Sequence, residues 1–364
     1  MKSKHLKPAS KLGIEKSASA VVANSTPLVD DIRRLIAETR AVVAVTVNAG
    51  LTMLYWKIGQ RVNNEILKNK RAEYGEEIVT TVSAQLAPDY GEGFSARNLF
   101  RMIKFAEYFH EEQIVVTLSR QLSWSHFVAI LQVHDRLARD FYAEMCRIER
   151  WSVRTLQKKI DSMLFERTAL SRKPAKLAEI ELKSLREEDK LTPDLVFRDP
   201  YFLDFLGLKG AYQEKDIEAA ILREMEAFIL ELGMGFAFLE RQKRITIDGD
   251  DFYMDLLFYH RQLQRLIAIE LKLGEFKPAY KGQMELYLKW LDKYERKKDE
   301  NSPLGLILCA GKKHETVELL DLEKSGIKVA SYLTKALPKK MLEQKLHEAI
   351  KRARIQLEMK VLEK

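Results

Sequence analysis

The chain has 364 residues, of which 46% are hydrophobic and 31% charged, and its formal net charge is +8. This length leads us to expect two domains with separate cores, and the apolar share excludes a chain that is disordered throughout. The positive charge favours a polyanionic partner such as nucleic acid, although charge alone is weak evidence because many soluble proteins are equally basic.

The cysteines and the N-terminal segment bear on the cellular compartment. Cys146 and Cys309 lie far apart and match neither a zinc-binding nor a disulfide spacing, which is typical of a reducing cytosol. The basic N-terminus is not followed by the apolar core of an export signal, and we expect no apolar run of the ~20 residues that a membrane span needs. The sequence therefore predicts a cytoplasmic protein without membrane contact.

The first half of the chain has a helical pattern. Residues 1–27 are rich in Lys, Ser and Ala without sustained periodicity, so we expect a disordered basic lead-in. Residues 28–165 place apolar side chains at spacings of three and four, which predicts an all-α domain that binds nucleic acid or a partner. One such stripe is formed by Leu54, Ile58, Val62 and Ile66.

One predicted helix in this region has a basic face. Ser95 has the character of a helix N-cap, and the helix that follows carries Arg97, Arg101 and Lys104 at spacings that align them. Such a face is typical of the recognition helix of a helix-turn-helix-like fold, where it would contact nucleic acid. An ordinary solvated basic face has the same pattern, and both interpretations stay open.

The second half of the chain changes its pattern twice. Residues 166–200 combine charge runs with prolines, which predicts a charged connector that contains a short helix. Residues 201–340 follow the order α-β-β-β-α-β with one more short strand, so we expect an α/β domain whose first helix covers 216–232. Residues 341–364 are expected to form a basic C-terminal helix whose apolar side favours packing.

Two adjacent strand patterns contain the most informative residues. The runs 252–259 and 265–271 are aromatic and aliphatic, and His260 between them is expected to lie in an exposed turn. Side chains alternate along a strand, so Glu270 and Lys272 would share one face. Burying two charges beside an apolar strand is unfavourable unless a partner such as a divalent metal balances them.

Asp255 completes a set of residues suited to phosphodiester hydrolysis. One register of the two strands puts Asp255 beside Glu270, and these carboxylates, with the backbone carbonyl of Leu271, would bind Mg²⁺ or Mn²⁺. Lys272 would orient the attacking water and balance the charge that develops on the phosphate. A catalytic site is one interpretation, and a decayed or purely binding version of it is the other.

The Glu-x-Lys spacing is not specific by itself, because the chain is rich in charge. Ile-Glu-Leu-Lys occurs a second time around Glu181 and Lys183, in the expected connector and without a preceding strand that carries an aspartate. The copy that contains Glu270 differs through its apolar strand and through Asp255. We therefore expect the site at the second copy.

These residues resemble the PD-(D/E)XK nuclease superfamily. Met254-Asp255 stands in place of Pro-Asp, and Glu270-Leu-Lys272 forms the second motif. Gln283 and Tyr287 match the Q-x-x-x-Y element of the RecB-like branch. The resemblance implies a restriction-endonuclease-like fold, a divalent metal, and a role for Gln283 on the substrate side of the site.

A closer resemblance is to the YhcG-type bacterial proteins, over roughly residues 30–345. It implies an all-α N-terminal domain followed by a PD-(D/E)XK nuclease domain. The motifs that carry this resemblance are Leu54-Tyr-Trp-Lys-Ile-Gly, Arg71-Ala-Glu-Tyr-Gly, Gly93-Phe-Ser-Ala-Arg-Asn-Leu, Leu122-Ser-Trp-Ser-His, Trp151-Ser-Val-Arg, Gly235-Phe-Ala-Phe, Arg241-Gln-Lys-Arg-Ile, Asp255-Leu-Leu-Phe-Tyr-His-Arg, Ile269-Glu-Leu-Lys and Gly282-Gln.

The superfamily also uses a glutamate on the helix that precedes the first strand. Glu218, Glu224 and Glu226 on the predicted 216–232 helix are the candidates. Glu218 has the family-like position, with Glu226 second.

The expected activity is Mg²⁺-dependent hydrolysis of DNA, with Mn²⁺ as a second metal. Two alternatives stay open: a non-cleaving DNA-binding or scaffold protein that keeps the fold, and an RNA-processing nuclease with the same metal chemistry. A homodimer is expected if both DNA strands are cut, because such cleavage needs two sites.

Overall fold

The contacts within the chain divide it into two units, Met1–Val128 and Ala129–Lys364. The residues that the computed structural model describes are 12–69, 72–208, 213–335 and 337–362. Of the expected lead-in, residues 1–11 lie outside the described residues, whereas residues 12–27 belong to the first helix.

The first unit is helical. Its helices are α1 Leu12–Asn69, α2 Ala72–Tyr90, α3 Ala96–Tyr108, α4 Glu112–Ser119 and α5 Trp124–Ile130, which ends just beyond the unit boundary. Helix α1 crosses α3 so closely that a Cβ atom at Gly59 would lie 1.9 Å from the carbonyl oxygen of Met102. Tyr55, Val62 and Leu99 form part of the buried core around this crossing.

Indole and amide hydrogen bonds hold the ends of these helices together. Trp56 Nε1 donates to the carbonyl oxygen of Phe109 at 2.7 Å, and Trp124 Nε1 donates to Asn98 Oδ1 at 3.1 Å. The side-chain amide of Asn98 in turn donates to the carbonyl oxygen of Gly93 at 2.6 Å. Buried tryptophans usually find such an acceptor for the indole N–H, and here the acceptors lie on neighbouring segments of the same unit.

Helix α1 is more apolar than the sequence pattern led us to expect. Its stretch Ile32–Ile66 is long and apolar enough, by length and composition alone, to cross a membrane, and 18% of the most apolar window is buried. The expectation that no apolar run has this length was therefore wrong, because Thr, Asn and Gly interrupt the aliphatic residues without adding charge. Core helices of soluble proteins can have the same composition, so this feature by itself assigns no membrane span.

The second unit is built on a six-stranded mixed sheet with the order β1-β6-β5-β4-β3-β2. Strands β2, β3 and β4 are antiparallel, and β4, β5, β6 and β1 are parallel. The strands are β1 Tyr201–Phe202, β2 Phe236–Ile247, β3 Asp250–His260, β4 Arg265–Glu275, β5 Leu304–Gly311 and β6 Ile327–Leu333.

Helices precede, cover and follow this sheet. They are α6 Arg136–Glu149, α7 Val153–Asp161, α8 Leu164–Arg167, α9 Ala175–Glu188, α10 Pro193–Val196, α11 Glu214–Arg223, α12 Met225–Leu232, α13 Ala279–Tyr294, α14 His314–Leu319 and α15 Lys339–Leu362.

Strands β4 and β5 form the centre of the sheet. Most of their residues are buried, as is usual for strands covered on both faces. Helix α13 packs so closely on them that a Cβ atom at Gly305 would lie 2.5 Å from Met284 Cγ. Met284, Tyr287 and Leu291 of α13 are buried in this core. The helix that carries the Q-x-x-x-Y element is therefore fixed against the two central strands.

The expected connector 166–200 is a packed part of the second unit. Arg167 is 1% exposed and lies with its guanidinium 2.5 Å from the carboxylate of Glu231. Asp199 Oδ1 accepts hydrogen bonds from the backbone and the hydroxyl of Ser331, both at 2.9 Å. The charge runs predicted a charged connector because pairing between residues far apart in the chain is not visible in the sequence.

The boundary expected at 165/166 also differs from the division by contacts. Ion pairs connect α6 to α9: Arg186 Nε lies 2.6 Å from Glu144 Oε1, and Arg147 Nη1 lies 2.7 Å from Asp189 Oδ1. Glu144 is fully buried, so its ion pair is part of the interior, whereas Asp189 lies at the surface with its side chain 67% exposed. Helices α6 to α8 consequently group with the second unit.

Two further local expectations need correction. The predicted 216–232 helix is interrupted at Glu224, where α11 ends and α12 begins. His260 is fully buried at the end of β3, and its Nδ1 accepts the backbone N–H of Leu263 at 3.2 Å. Burial lowers the pKa of His260 to about 4, so the ring is neutral at physiological pH. It is not an exposed turn residue.

Candidate active site

The candidate site lies where β3 separates from β4. The backbone ladder between these strands ends at the pair Leu256 and Ile269. One residue further, the backbone N–H of Asp255 donates to Glu270 Oε1 at 3.2 Å, and that of Leu271 donates to Asp255 Oδ2 at 2.8 Å. Side-chain carboxylates thus replace backbone carbonyls as acceptors, which holds both acids at the opening of the sheet.

Lys272 completes the group on β4. Its Nζ lies 3.0 Å from Glu270 Oε2, and the side chains of Lys272 and Glu270 are 12% and 4% exposed. Burial, followed by the negative charge of Asp255, raises the pKa of Glu270 to about 7, and burial also raises the pKa of Asp255. Burial opposes the charge of Lys272, but the Glu270 carboxylate outweighs it and raises the pKa of Lys272. The acids carry an unfavourable negative charge that one lysine only partly balances.

Helix α11 brings two glutamates to this site. Gln242 on β2 donates through Nε2 to Glu218 Oε2 at 2.9 Å and to Asp255 Oδ1 at 3.0 Å. Glu214 Oε1 accepts the backbone N–H of Leu273 at 3.1 Å, just beyond the lysine on β4. The sequence pointed to Glu218 but missed Glu214 and Gln242, because their approach depends on how α11 and β2 meet the central strands.

The other two glutamates considered on this segment lie elsewhere. Glu224 is at the junction of α11 and α12, where its carboxylate is 3.5 Å from the guanidinium of Arg223. Glu226 is in the first turn of α12. The hydrogen bonds at the site therefore single out Glu218 and Glu214 on α11.

Gln283 on α13 approaches the site through a tyrosine. Its Nε2 donates to the hydroxyl of Tyr287 at 2.7 Å, and this hydroxyl donates to the carbonyl oxygen of Tyr253 at 3.1 Å. Tyr287 is buried, and burial raises the pKa of its phenol. The Q-x-x-x-Y pair thus ties α13 to β3 next to the acidic residues, with the amide of Gln283 directed at Tyr287.

The acidic residues fit a divalent cation. A cation would remove the repulsion between the buried carboxylates of Asp255 and Glu270, and hard oxygen ligands are those that Mg²⁺ and Mn²⁺ prefer. Within the part of the chain that the structure describes, no cluster of three or more His, Cys, Asp and Glu side chains is arranged to hold a metal. Two carboxylates nevertheless suffice for Mg²⁺, which usually keeps several waters.

The three basic residues singled out in the first unit lie on α3. Arg97 is exposed, whereas Arg101 and Lys104 are half-buried. Lys104 Nζ lies 5.2 Å from the centre of the Tyr108 ring. The opposite face of α3 is buried, so these residues belong to its solvent side.

Comparison with known solved structures finds similarity over part of the chain. The crystal structure of a repair endonuclease from Pyrococcus abyssi has 18% identity and a TM-score of 0.24, covering 36% of this chain and 50% of that one. A complex of EndoMS with double-stranded DNA has 20% identity and a TM-score of 0.27, covering 36% and 49%. The chain thus spans about half the length of these solved structures.

Comparison with protein families and curated proteins covers more of the sequence. A DUF1016 N-terminal domain matches residues 31–167, and a YhcG PDDEXK nuclease domain matches residues 194–347. A protein named "Putative nuclease YhcG" from Escherichia coli (strain K12) is 34% identical in an alignment of 329 residues that covers 82% of this chain and 87% of the relative. These matches confirm the resemblance seen in the sequence. The chain belongs to the YhcG family of PDDEXK nucleases.

Proposed function

We propose that the protein hydrolyses phosphodiester bonds of DNA in a Mg²⁺-dependent reaction at Asp255, Glu270 and Lys272. The observation that carries the proposal is the pair of buried carboxylates at the opening between β3 and β4, with a lysine 3.0 Å from one of them. They lie in the segment that matches a nuclease domain. The positive charge of the chain and its family of nucleases support a nucleic-acid substrate, and DNA is the one we propose.

Asp255 and Glu270 would hold the cation, with the backbone carbonyl of Leu271 as a further ligand. When bound, the metal supplies positive charge to the scissile phosphate and lowers the pKa of a bound water. Glu270 must be deprotonated to act as a ligand, so its pKa near 7 in the metal-free site makes metal binding weaker at acidic pH. Mn²⁺ accepts the same oxygen ligands and is the second metal to test.

Lys272 has a separate role from the two acids. Its raised pKa keeps the ammonium group charged at neutral pH. This charge can stabilise the phosphate as negative charge develops on its oxygens, and the ammonium can donate to the attacking water. The ring of Tyr280 lies 5.3 Å from Lys272 Nζ and limits where the side chain can move.

Residues around these three groups would complete the site. Gln283 assists on the substrate side by fixing the Tyr287 hydroxyl. Glu218 would add negative charge beside Asp255, where Gln242 holds it. Gln283 acts by orienting a neighbour, so it need not contact the reacting atoms. A homodimer would supply the second site needed to cut both strands.

The first unit would contact DNA through Arg97, Arg101 and Lys104 on α3. These side chains would contact phosphates, which carry no information about the base sequence. Replacing all three by Ala should weaken DNA binding and reduce the salt dependence of the binding constant.

The two free cysteines, Cys146 and Cys309, are both buried and agree with a cytoplasmic location.

The test is cleavage of supercoiled, linear, single-stranded and branched DNA by the purified protein with Mg²⁺ or Mn²⁺. Lys272→Ala should abolish cleavage. Lys183→Ala is a matched control, because it alters the second Ile-Glu-Leu-Lys copy, where the lysine side chain is 69% exposed on α9. This control should cleave like the wild type.

Three outcomes would contradict the proposal. Equal cleavage by wild type and Lys272→Ala would place the activity elsewhere. Cleavage of RNA in preference to every DNA tested would mean that the substrate is RNA and not DNA. Salt-sensitive DNA binding without cleavage under any metal would favour a non-cleaving binding protein.

A further inference from the structure

Gln242 links two carboxylates that come from different elements. Its Nε2 lies 2.9 Å from Glu218 Oε2 on α11 and 3.0 Å from Asp255 Oδ1 on β3. A side-chain amide carries two N–H hydrogens, so both hydrogen bonds can form at once. Gln242 thereby connects the helix to the strand at the point where β3 leaves β4.

The backbone of Gln242 is in an unfavourable conformation. Its φ is 46°, in the left-handed region that residues other than Gly, Asn and Asp rarely adopt. The pairing of β2 with β3 also shifts register between Phe238 and Glu240, just before this residue. The side chain is exposed, so burial of apolar surface does not explain why the conformation is kept. Strained residues of this kind collect at functional sites.

The chemistry of an amide suits the place between two acids. A lysine here would compete with a bound cation for the carboxylates, and a glutamate would add to their repulsion. Glutamine donates hydrogen bonds without adding charge, so it can orient both groups and leave their negative charge available to a cation. Its length is needed as well, because the two carboxylates are on separate elements.

We propose that Gln242 is a positioning residue that holds Glu218 and Asp255 in the arrangement required for cation binding, at the expense of backbone strain. This inference rests on the proposed function and adds to it the residue that couples α11 to the metal site. Gln242 acts through the two carboxylates and does not touch the substrate.

Two substitutions distinguish the effect of losing the Gln242 amide from the effect of relieving the backbone strain. Gln242→Gly and Gln242→Asn both tolerate a left-handed φ. Glycine has no amide, and the asparagine side chain is one methylene shorter, so neither can span Glu218 and Asp255. Gln264→Gly is the matched control: Gln264 is the same residue type, is exposed, and has a φ of 49° in the turn between β3 and β4.

The measurement is the unfolding temperature of the full chain, first without metal and then over a titration with Mg²⁺ or Mn²⁺. Without metal, Gln264→Gly should unfold at the wild-type temperature or above it, because it relieves strain. The two Gln242 variants should unfold close to the wild-type temperature, because the strain that they relieve offsets the two exposed hydrogen bonds that they lose. The two Gln242 variants should need roughly 10-fold to 100-fold more metal for the half-maximal increase, as is typical when a residue that orients a ligand is lost. Gln264→Gly should respond to metal like the wild type.

A double variant tests the route through Glu218. In a Glu218→Gln background, adding Gln242→Gly should change the metal requirement less than it does in the wild type, because residues of one network are not additive. Full additivity would mean that Gln242 does not act through Glu218.

The remaining outcomes are equally decisive. If Gln242→Gly needs no more metal than Gln264→Gly while wild type is stabilised by metal and cleaves DNA, the positioning role is wrong and the nuclease stands. If the metal-free Gln242→Gly unfolds far below the wild type, the residue supports the fold and the strain argument is wrong. If wild type neither binds metal nor cleaves, the proposed function and this role fail together.

Discussion

At the scale of single residues, the acids of the site have two roles. Asp255 and Glu270 accept backbone N–H groups that the interrupted ladder leaves without carbonyl partners, and they also form the cation site. Alanine at either position would lose both roles, and an unsatisfied buried N–H group would destabilise the fold. Asparagine at 255 or glutamine at 270 keeps an acceptor oxygen for the backbone N–H group and removes only the negative charge. These substitutions therefore test cation binding without the loss of stability that alanine would cause.

His260 makes the stability of the chain depend on pH. Burial, with a contribution from the charge of Arg265, lowers its pKa to about 4, below the value of about 6.5 expected in the unfolded chain. The stability contributed by the neutral ring is fully present above pH 6.5 and is lost as the pH falls towards 4. Between pH 7.5 and 4.5, the free energy of unfolding of the wild type should fall by roughly 2–3 kcal/mol more than that of His260→Gln.

Urea denaturation at the two pH values measures this difference. His110→Gln is the control, because His110 is exposed, and it should follow the wild type. If the free energy of unfolding fell equally in the wild type and His260→Gln, His260 would not be the cause of the pH dependence.

The residues of the site could be predicted to different degrees. Asp255 and Glu270 lie on adjacent strands, and strand alternation with one turn is enough to bring them together. Glu214 and Gln242 could not be found in this way. Their positions depend on the packing of α11 and β2 against the sheet, and Gln242 also on a left-handed backbone that its residue type disfavours.

At the scale of elements, the spacing of apolar residues predicted strands and helices well where a segment has a single strand or helix period. The strand patterns over 252–259 and 265–271 correspond to β3 and β4, which extend slightly further. The 216–232 pattern is helical throughout, but the structure interrupts it at Glu224, since tertiary packing sets the directions of α11 and α12 separately. Segment 166–200 was misjudged because charged residues can be buried in pairs.

Gly59 supports a prediction about the crossing of α1 and α3. A Cβ atom there would lie 1.9 Å from the Met102 carbonyl oxygen, so Gly59→Ala must push the helices apart. We expect a loss of more than about 2 kcal/mol in the free energy of unfolding of the first unit, at the upper end of overpacking effects. Gly50→Ala, also on α1, meets nothing within 4 Å and should stabilise the helix by up to about 1 kcal/mol.

Thermal denaturation followed by circular dichroism compares the two alanine variants. An unfolding temperature for Gly59→Ala equal to that of Gly50→Ala would contradict the close crossing.

At the scale of the whole molecule, the family match and the contacts draw the boundary between the parts differently. The DUF1016 match extends to residue 167, whereas the contacts place Ala129 and everything after it in one unit. The reason is physical: α6 and α9 share the buried carboxylate of Glu144 and the Arg147 ion pair. Sequence patterns alone show neither contact, which is why the expected boundary followed the change in composition at 166.

Two fragments test which boundary describes a folding unit. Residues 129–364 should unfold in one cooperative transition, because the ion pairs of α6 with α9 stay within the fragment. Residues 166–364 keep Arg167 but lose Glu144 and Arg147, which leaves Arg186 and Asp189 without these partners and exposes part of the α9 core. We expect this shorter fragment to be less stable by at least several kcal/mol, since buried pairs are costly to break. If the two fragments were equally stable in urea, the boundary at 166 expected from the sequence would be supported.

The most direct test of the account is whether Asp255 is needed for divalent cations to stabilise the protein. At a Mg²⁺ or Mn²⁺ concentration 100 times the dissociation constant, the wild type should gain about 2.7 kcal/mol in the free energy of unfolding. Asp255→Asn should lose this gain. Asp251→Asn, which alters an aspartate on the same strand that pairs with Arg244 at 2.8 Å, should keep it. Equal stabilisation of wild type and Asp255→Asn by the metal would contradict the assignment of the site.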